Sequence, residues 1–336
     1  DRFVRAARGE HTPVLPVWLM RQAGRTDPEY NRLKRECGLA LHDMFRNAEI
    51  AARASLLPRR FGVDAIIFFQ DILTLLGPMG AEFLFKPGPV LERPVRSRDD
   101  VRALRPYDVA DKLQFVPDTL KKVQAELDGE MPVLGFAGAP LTLAVFLAQG
   151  GSFGDSAEAA MSFMRDDPAA LHELLDKLST LTIDYLLLQA EAGAEAVQLF
   201  ESAAYLFSPQ QYAEFALPYQ QRIFDGLRGK VKTIVFAREI EDVSPLGAAG
   251  ADIVSLPGGL DIAQARARLG DGCVVQGNLS NRLLAEGSLD EIAAAARVCI
   301  ASGGHRGHVF NLDHGLLRDT PFENVVHLIR TVHETV

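Results

Sequence analysis

Cysteine is scarce in this chain: Cys37, Cys273 and Cys299 lie far apart, with no C-x-x-C among them. That spacing argues against a disulfide framework and against a tetrahedral thiolate zinc site, and it suits a reducing cytoplasm. Basic charge is also in deficit, with 35 Lys and Arg against 44 Asp and Glu and a net charge of -9. General nucleic-acid affinity needs a basic surface that displaces counterions, so no nucleic-acid partner is expected and any cationic site must be local. No apolar run approaches the roughly 20 residues of a membrane-spanning helix, and the opening DRFVRAARGE is too polar for a secretory signal. The expectation is a cytoplasmic protein without a membrane partner. Also missing are a G-x-S-x-G elbow and the two common phosphate loops, G-x-G-x-x-G and G-x-x-x-x-G-K-[ST]; Gly135 and Gly138 ahead of a helical pattern are the nearest approach.

What the chain has in quantity is short apolar runs alternating with helical patterns. The runs are 13–19 (PVLPVWL), 65–69 (AIIFF), 132–136 (PVLGF), 196–200 (AVQLF), 233–236 (TIVF), 252–255 (DIVS), 273–277 (CVVQG) and 307–311 (GHVFN). Their hydrophobicity is continuous rather than alternating, as a strand covered on both faces requires, so they read as buried parallel strands. Between them, Asp167 and Pro168 supply an N-cap and a first-turn proline for a helix carrying Leu171, Leu174, Leu175, Leu178 and Leu181, which Gly193 ends. NAEIAARASLLPRRF and PQQYAEFALPYQQRIF each hold a proline that kinks or ends the helix. Eight strands in alternation with helices predict an α/β fold, a single-domain (β/α)8 TIM-type barrel over residues 1–336, with an extended loop or hairpin inserted near residues 77–98.

In such a barrel the residues after each strand gather at one rim, where active sites form. Here those segments are MRQAGR, QDILT, AGAPLT, ESAAY, AREIED, LPGG, NLSN and LDHG. They place Arg21, Gln22, Arg25, Asp71, Ser202, Arg238, Asn278, Asn311, Asp313 and His314 on one surface. Each has a plainer reading as well. Asp71 serves equally as a cap of the turn after its strand, Arg21 and Arg25 as surface partners of Glu29 or Glu36, and His314 as a hydrogen-bonded loop residue. Guanidinium forks match carboxylates or phosphates, so Arg21 and Arg25 propose a ligand with several anionic groups. A lone Asp71 facing the same space suits an N–H-rich centre of that ligand. Phe68, Phe69, Phe136, Phe146, Leu199 and Phe200 offer either a cover for a flat ring system or ordinary barrel core.

The segments PVWLMRQAGR, AIIF..DILT, GFAGAPLTL, QLFES, SPQQYAEFALPY, QGNL and FNLDHG occur in order along nearly the whole chain. With them the sequence resembles the uroporphyrinogen decarboxylase family. The resemblance implies a (β/α)8 barrel, a homodimer, and removal of CO2 from the four acetate side chains of uroporphyrinogen to give coproporphyrinogen, with neither metal nor organic cofactor. It implies that Asp71 accepts the pyrrole N–H groups and stabilises a ring cation, and that Arg21 is a catalytic proton donor. By the same resemblance Arg25 holds substrate carboxylates with Gln22 beside it, and Lys34 stands where the family often has an arginine. Phe69, Phe136 and Phe200 would line the macrocycle pocket, Phe146 takes the place of a tyrosine near the substrate, and Ser202 and His314 would bind carboxylate.

Some positions depart from the family pattern. Thr26 and Asp27 replace a usual tyrosine and leucine, Gln70 a usual serine, and Asp313 a glycine beside His314, where it is expected to favour the imidazolium. Two alternatives stay open. One is a relative that binds tetrapyrroles without catalysis; the other is a zinc-dependent corrinoid or thiol methyltransferase of the same superfamily, which needs a His-x-Cys ligand pair, whereas no histidine stands two residues before a cysteine here.

Overall fold

A parallel sheet organises the chain, as expected from strands that are apolar on both faces. A computed structural model describes residues 1–85, 88–154, 156–270 and 272–336. Its strands are β1 (Ile66–Ile67), β2 (Phe83–Phe85), β3 (Pro89–Leu91), β4 (Val133–Gly138), β5 (Ala196–Glu201), β6 (Lys232–Ala237), β7 (Ile253–Ser255), β8 (Val274–Gln276) and β9 (His308–Val309). β1 and β4 to β9 form one seven-stranded sheet in chain order, every pairing parallel.

The eighth expected strand, residues 13–19, makes a bridge and not a ladder strand. Phe310 N–H donates to Pro16 O at 2.8 Å and Trp18 N–H to Phe310 O at 3.4 Å, while Asp64 N–H donates to Val17 O at 2.8 Å on the other side. This segment therefore closes the curled sheet between β9 and β1. Its pairing is short for a physical reason: Pro16 has no N–H, and the Val17 N–H is taken by the Asp64 side chain at 2.8 Å. β2 and β3 form an antiparallel hairpin, Leu84 opposite Val90, within the insertion expected at 77–98; Lys86 and Pro87 of that insertion lie outside the described residues.

Helices cover the sheet as the sequence punctuation implied. Asp167 caps the helix Pro168–Glu191 by accepting the Ala170 N–H. Pro58 falls where the helix Ala48–Leu56 gives way to a 3-10 turn, and Pro218 starts the second of two helices, Pro209–Phe215 and Leu217–Leu227, that divide at Ala216. Gly135 and Gly138 serve packing instead of a phosphate. A Cβ at Gly135 would meet Gln189 Oε1 at 2.2 Å, and that amide clamps the long helix to β4 through Phe136 N–H (2.7 Å) and Phe136 O (2.9 Å).

Inside the barrel the strands are less apolar than the sequence suggested. Trp18 Nε1 donates to Gln276 Oε1 at 3.0 Å, and Gln276 Nε2 donates to Gln198 Oε1 at 2.9 Å and to Ser255 Oγ at 3.1 Å. These buried amides satisfy one another, which is the condition for placing them in a core. Among the described residues no helix is long and apolar enough to cross a membrane.

Candidate active site

At the C-terminal rim of the strands opens a cavity of about 360 Å³. Arg21, Gln22, Arg25, Phe69, Asp71, Phe136, Phe200, Ser202 and His314 all line it, together with Tyr30, Gln70 and Arg318. Of the eleven side chains that the family resemblance implies, these nine thus meet in one place with Phe68, whereas the rim candidates Arg238, Asn278, Asn311 and Asp313 do not border the cavity. Of the other two among the eleven, Lys34 lies on the helix Pro28–Cys37 and is absent from the lining. Phe146 is absent too, because its ring edges onto Phe83 (6.3 Å) and Phe153 (4.7 Å) in an aromatic cluster beneath the hairpin.

Arg21 leaves the end of the bridging segment with φ at 58°, a left-handed conformation that is rare for a residue with a side chain. Its neighbours hold it there. Met20 N–H donates to Asn311 Oδ1 at 3.1 Å, Leu316 N–H donates to Met20 O at 3.0 Å, and Gln22 spans from Leu19 N–H (3.1 Å) to Ala65 O (3.0 Å). Gln22 borders the cavity, but its amide is committed to the frame. Gly315 leaves room for the arginine, since a Cβ there would meet Arg21 Cβ at 3.0 Å. Solvent reaches the Arg21 guanidinium through the cavity mouth while protein surrounds most of it, so burial lowers its pKa, countered by the charge of Asp71.

The surface-pairing reading of the arginines fails. Glu29 and Glu36 are both occupied by Arg32, at 2.5 and 3.6 Å. Among the described residues Arg21, Arg25 and Arg318 make no ion pair within 4 Å, and Asp71 acts on Arg21 only through its charge at longer range.

Asp71 combines the capping and site readings. Its Oδ1 accepts the Leu73 N–H at 2.7 Å, and Gln70 Oε1 accepts the Asp71 N–H at 3.1 Å and the Thr74 hydroxyl at 3.1 Å. Among the described residues none donates a hydrogen bond to Oδ2. Burial raises the Asp71 pKa to about 6, against the opposing pull of the Leu73 N–H and Arg21. A buried carboxylate so shifted, lining a cleft beside an arginine, marks a candidate functional site.

The expectation for His314 is reversed. Asp313 turns away from the cavity: its Oδ1 accepts the Asn281 N–H at 2.8 Å, and its carboxylate lies where a Cβ on Gly258 would be, 2.3 Å from Oδ2. His314 instead feels burial, Arg21 and Arg238, which push its pKa down to about 3. Those influences favour the neutral ring.

Sequence reasoning overlooked Arg318 and Tyr30. Arg318 stands four residues beyond His314 in LDHGLLRD, and following that loop further would have reached it. Tyr30 is the first cavity-facing position of the helix after the arginine loop, and its ring lies 5.6 Å from that of Phe69. On the opposite wall the rings of Phe136 and Phe200 meet edge to face at 5.7 Å. The site therefore joins cationic groups, one desolvated carboxylate and aromatic walls. Among the described residues no group of three His, Cys, Asp or Glu side chains converges to hold a metal ion.

In fold, the chain is similar to a methyltransferase from Methanosarcina mazei, with a TM-score of 0.83 at 21% identity over 99% of this chain and 97% of that one. At that identity the likeness speaks for the TIM-type barrel alone. In sequence, it is 38% identical to the uroporphyrinogen decarboxylase of Hydrogenovibrio crunogenus, over 99% of this chain and 96% of the relative. It is 38% identical to that of Geobacter metallireducens, over 99% and 98%. The profile of the family described as Uroporphyrinogen decarboxylase (URO-D) matches residues 1–335. By the reach of that profile and the identity and length of these matches, the chain belongs to the uroporphyrinogen decarboxylase family.

Proposed function

We propose that this chain removes the four acetate carboxyl groups of uroporphyrinogen as CO2, leaving methyl groups and giving coproporphyrinogen, as a single catalytic domain in a homodimer. The observation that carries the reading is one cavity in which a lone desolvated carboxylate, Asp71, is set among Arg21, Arg25 and Arg318. A macrocycle with pyrrole N–H groups at its centre and carboxylates around its edge has the complementary distribution of charge.

The chemistry follows from where electrons must go. Cleavage of the bond between an acetate methylene and its carboxylate leaves an electron pair that needs an acceptor. Protonating the pyrrole on carbon creates one, and the cation so formed is stabilised by the Asp71 carboxylate, which accepts the N–H groups. CO2 departs, the methylene takes a proton to become methyl, and the ring carbon returns its own proton, so each acetate consumes one proton. Arg21 is the donor in this scheme, its pKa already lowered by burial. Arg25, Arg318, neutral His314 and Ser202 hold side-chain carboxylates, and Phe69, Phe136 and Phe200 cover the ring faces. No metal or organic cofactor enters the scheme.

Anaerobic incubation with enzymatically made uroporphyrinogen, followed by chromatography of the oxidised products, tests the reading. Coproporphyrin with intermediates of seven, six and five carboxyl groups is the expected outcome. Tight binding without loss of carboxyl groups would instead make the chain a non-catalytic tetrapyrrole binder.

A further inference from the structure

The loop that presents Arg25 has little to hold it from within. Arg21 and Arg25 have no ion-pair partner among the described residues, and Gly24 between them adds backbone freedom. Its geometry must come from its two ends. The entering end is held by Met20 and Gln22, as above. At the leaving end, Asp27 N–H donates to Gly24 O at 3.0 Å, and Asn31 Nδ2 donates to Arg25 O at 2.8 Å. Asp27 also caps the helix Pro28–Cys37, its Oδ1 accepting the Glu29 N–H at 2.8 Å.

Asp27 is completely buried, and the same Oδ1 is ion-paired with Arg60. Arg60 is fixed in turn, its guanidinium carbon 5.2 Å from the ring centres of both Phe61 and Phe322. It belongs to the 3-10 turn Leu57–Phe61 that leads into β1. A chain of contacts therefore runs from the barrel wall through Arg60 and Asp27 to the backbone of Gly24, the residue before Arg25. The other carboxylate oxygen, Oδ2, is buried without a partner, so the arginine is the one countercharge in hydrogen-bonding range of this carboxylate among the described residues.

We propose that the Asp27–Arg60 ion pair is a positioning device for the arginine loop, setting how tightly Arg25 grips a substrate carboxylate. The proposal rests on the functional reading above and assigns no chemistry to either residue. Pinning the loop beforehand spares the ligand the cost of ordering it, so affinity depends on the pair while the chemical step does not.

Oxidised uroporphyrin serves as the probe, because its eight carboxylates report on the site through fluorescence quenching without turnover. Asp27→Ala should weaken binding about tenfold and raise KM for uroporphyrinogen similarly, with kcat changed less than threefold. Arg25→Ala in that background should cost little more than Arg25→Ala alone, because both changes remove one and the same grip. Asp27→Asn keeps the capping oxygen and loses the charge; it should fall between wild type and Asp27→Ala, and it serves if the alanine variant does not fold. Wild-type affinity in Asp27→Asn, or losses that multiply in the double variant, would overturn the proposal. Wild type that binds the probe but leaves uroporphyrinogen intact would sink the decarboxylase reading and leave the positioning test standing.

Discussion

Thr142 Oγ1 donates to one oxygen of the buried Glu201 carboxyl, and Gln220 Nε2 donates to the other at 3.3 Å. Glu201 ends β5 next to Ser202, yet the alternation of the strand sends Phe200 into the cavity and Glu201 outward, between sheet and helices. Burial raises its pKa from 4.5 to about 7, more than the Thr142 and Gln220 hydrogen bonds lower it. Between those two values the folded state keeps a proton that the unfolded chain releases. The stabilisation is present below about pH 4.5 and is lost as pH rises through 7, on the order of 3 kcal/mol in all. Glu201→Gln should therefore flatten the fall of Tm between pH 5 and 8. Parallel Tm profiles for variant and wild type would refute this.

Arg318, at the cavity rim, gives a second test of the anion reading. Arg318→Ala should weaken uroporphyrin binding by about 1.5–3 kcal/mol, the scale of a hydrogen bond between charged groups. Arg330 on the helix Phe322–Glu334 is a control: it is exposed and lies 3.9 Å from Glu334. Its alanine variant should bind as wild type does, and an equal loss in both would mean that the probe reads net charge and not the site.

Most of the barrel and most of the site were legible because strand and helix periods, proline breaks and the segments after each strand are local signals. How residues 13–19 close it was not. Whether residues 13–19 pair as a strand depends on Asp64 taking the Val17 N–H, a contact across 47 positions. The polar interior was hidden for a similar reason, since Gln198 and Gln276 lie 78 positions apart and become tolerable only together. His314 shows the limit for charge. Its neighbour Asp313 suggested an imidazolium, but direction and burial decide protonation, and Arg21 with Arg238 decides it the other way. Phe146 misled through alignment by type: its helix Pro140–Gln149 turns that ring toward Phe83 and Phe153.

From that last placement a third expectation follows. Phe146→Tyr puts a hydroxyl among aromatic rings and not beside Asp71, so uroporphyrinogen turnover should stay within about twofold of wild type, while Tm falls slightly from an ill-matched polar group. A tenfold gain in kcat would bring the ring into the reacting geometry and contradict the cavity lining.

Asp71 gives the sharpest test, because charge and shape can be separated there. Its carboxylate is the form that stabilises the ring cation, and burial raises its pKa to about 6. In the free enzyme kcat/KM should therefore be level above that pH and fall about tenfold per unit below it, as the anion is neutralised. His314, with a pKa near 3, stays neutral throughout this window and adds no inflection. Asp71→Asn keeps the side-chain shape and an acceptor for the Leu73 N–H, now at 2.7 Å, while removing the charge. Turnover should drop by about 100-fold or more, the scale of losing one preorganised electrostatic partner, and what remains should show no break near pH 6. Tm of the variant should be no lower than that of wild type at pH 8, where wild type bears the cost of a buried charge. Wild-type turnover in Asp71→Asn, or a break near pH 6 that survives the substitution, would show that another group carries the essential charge.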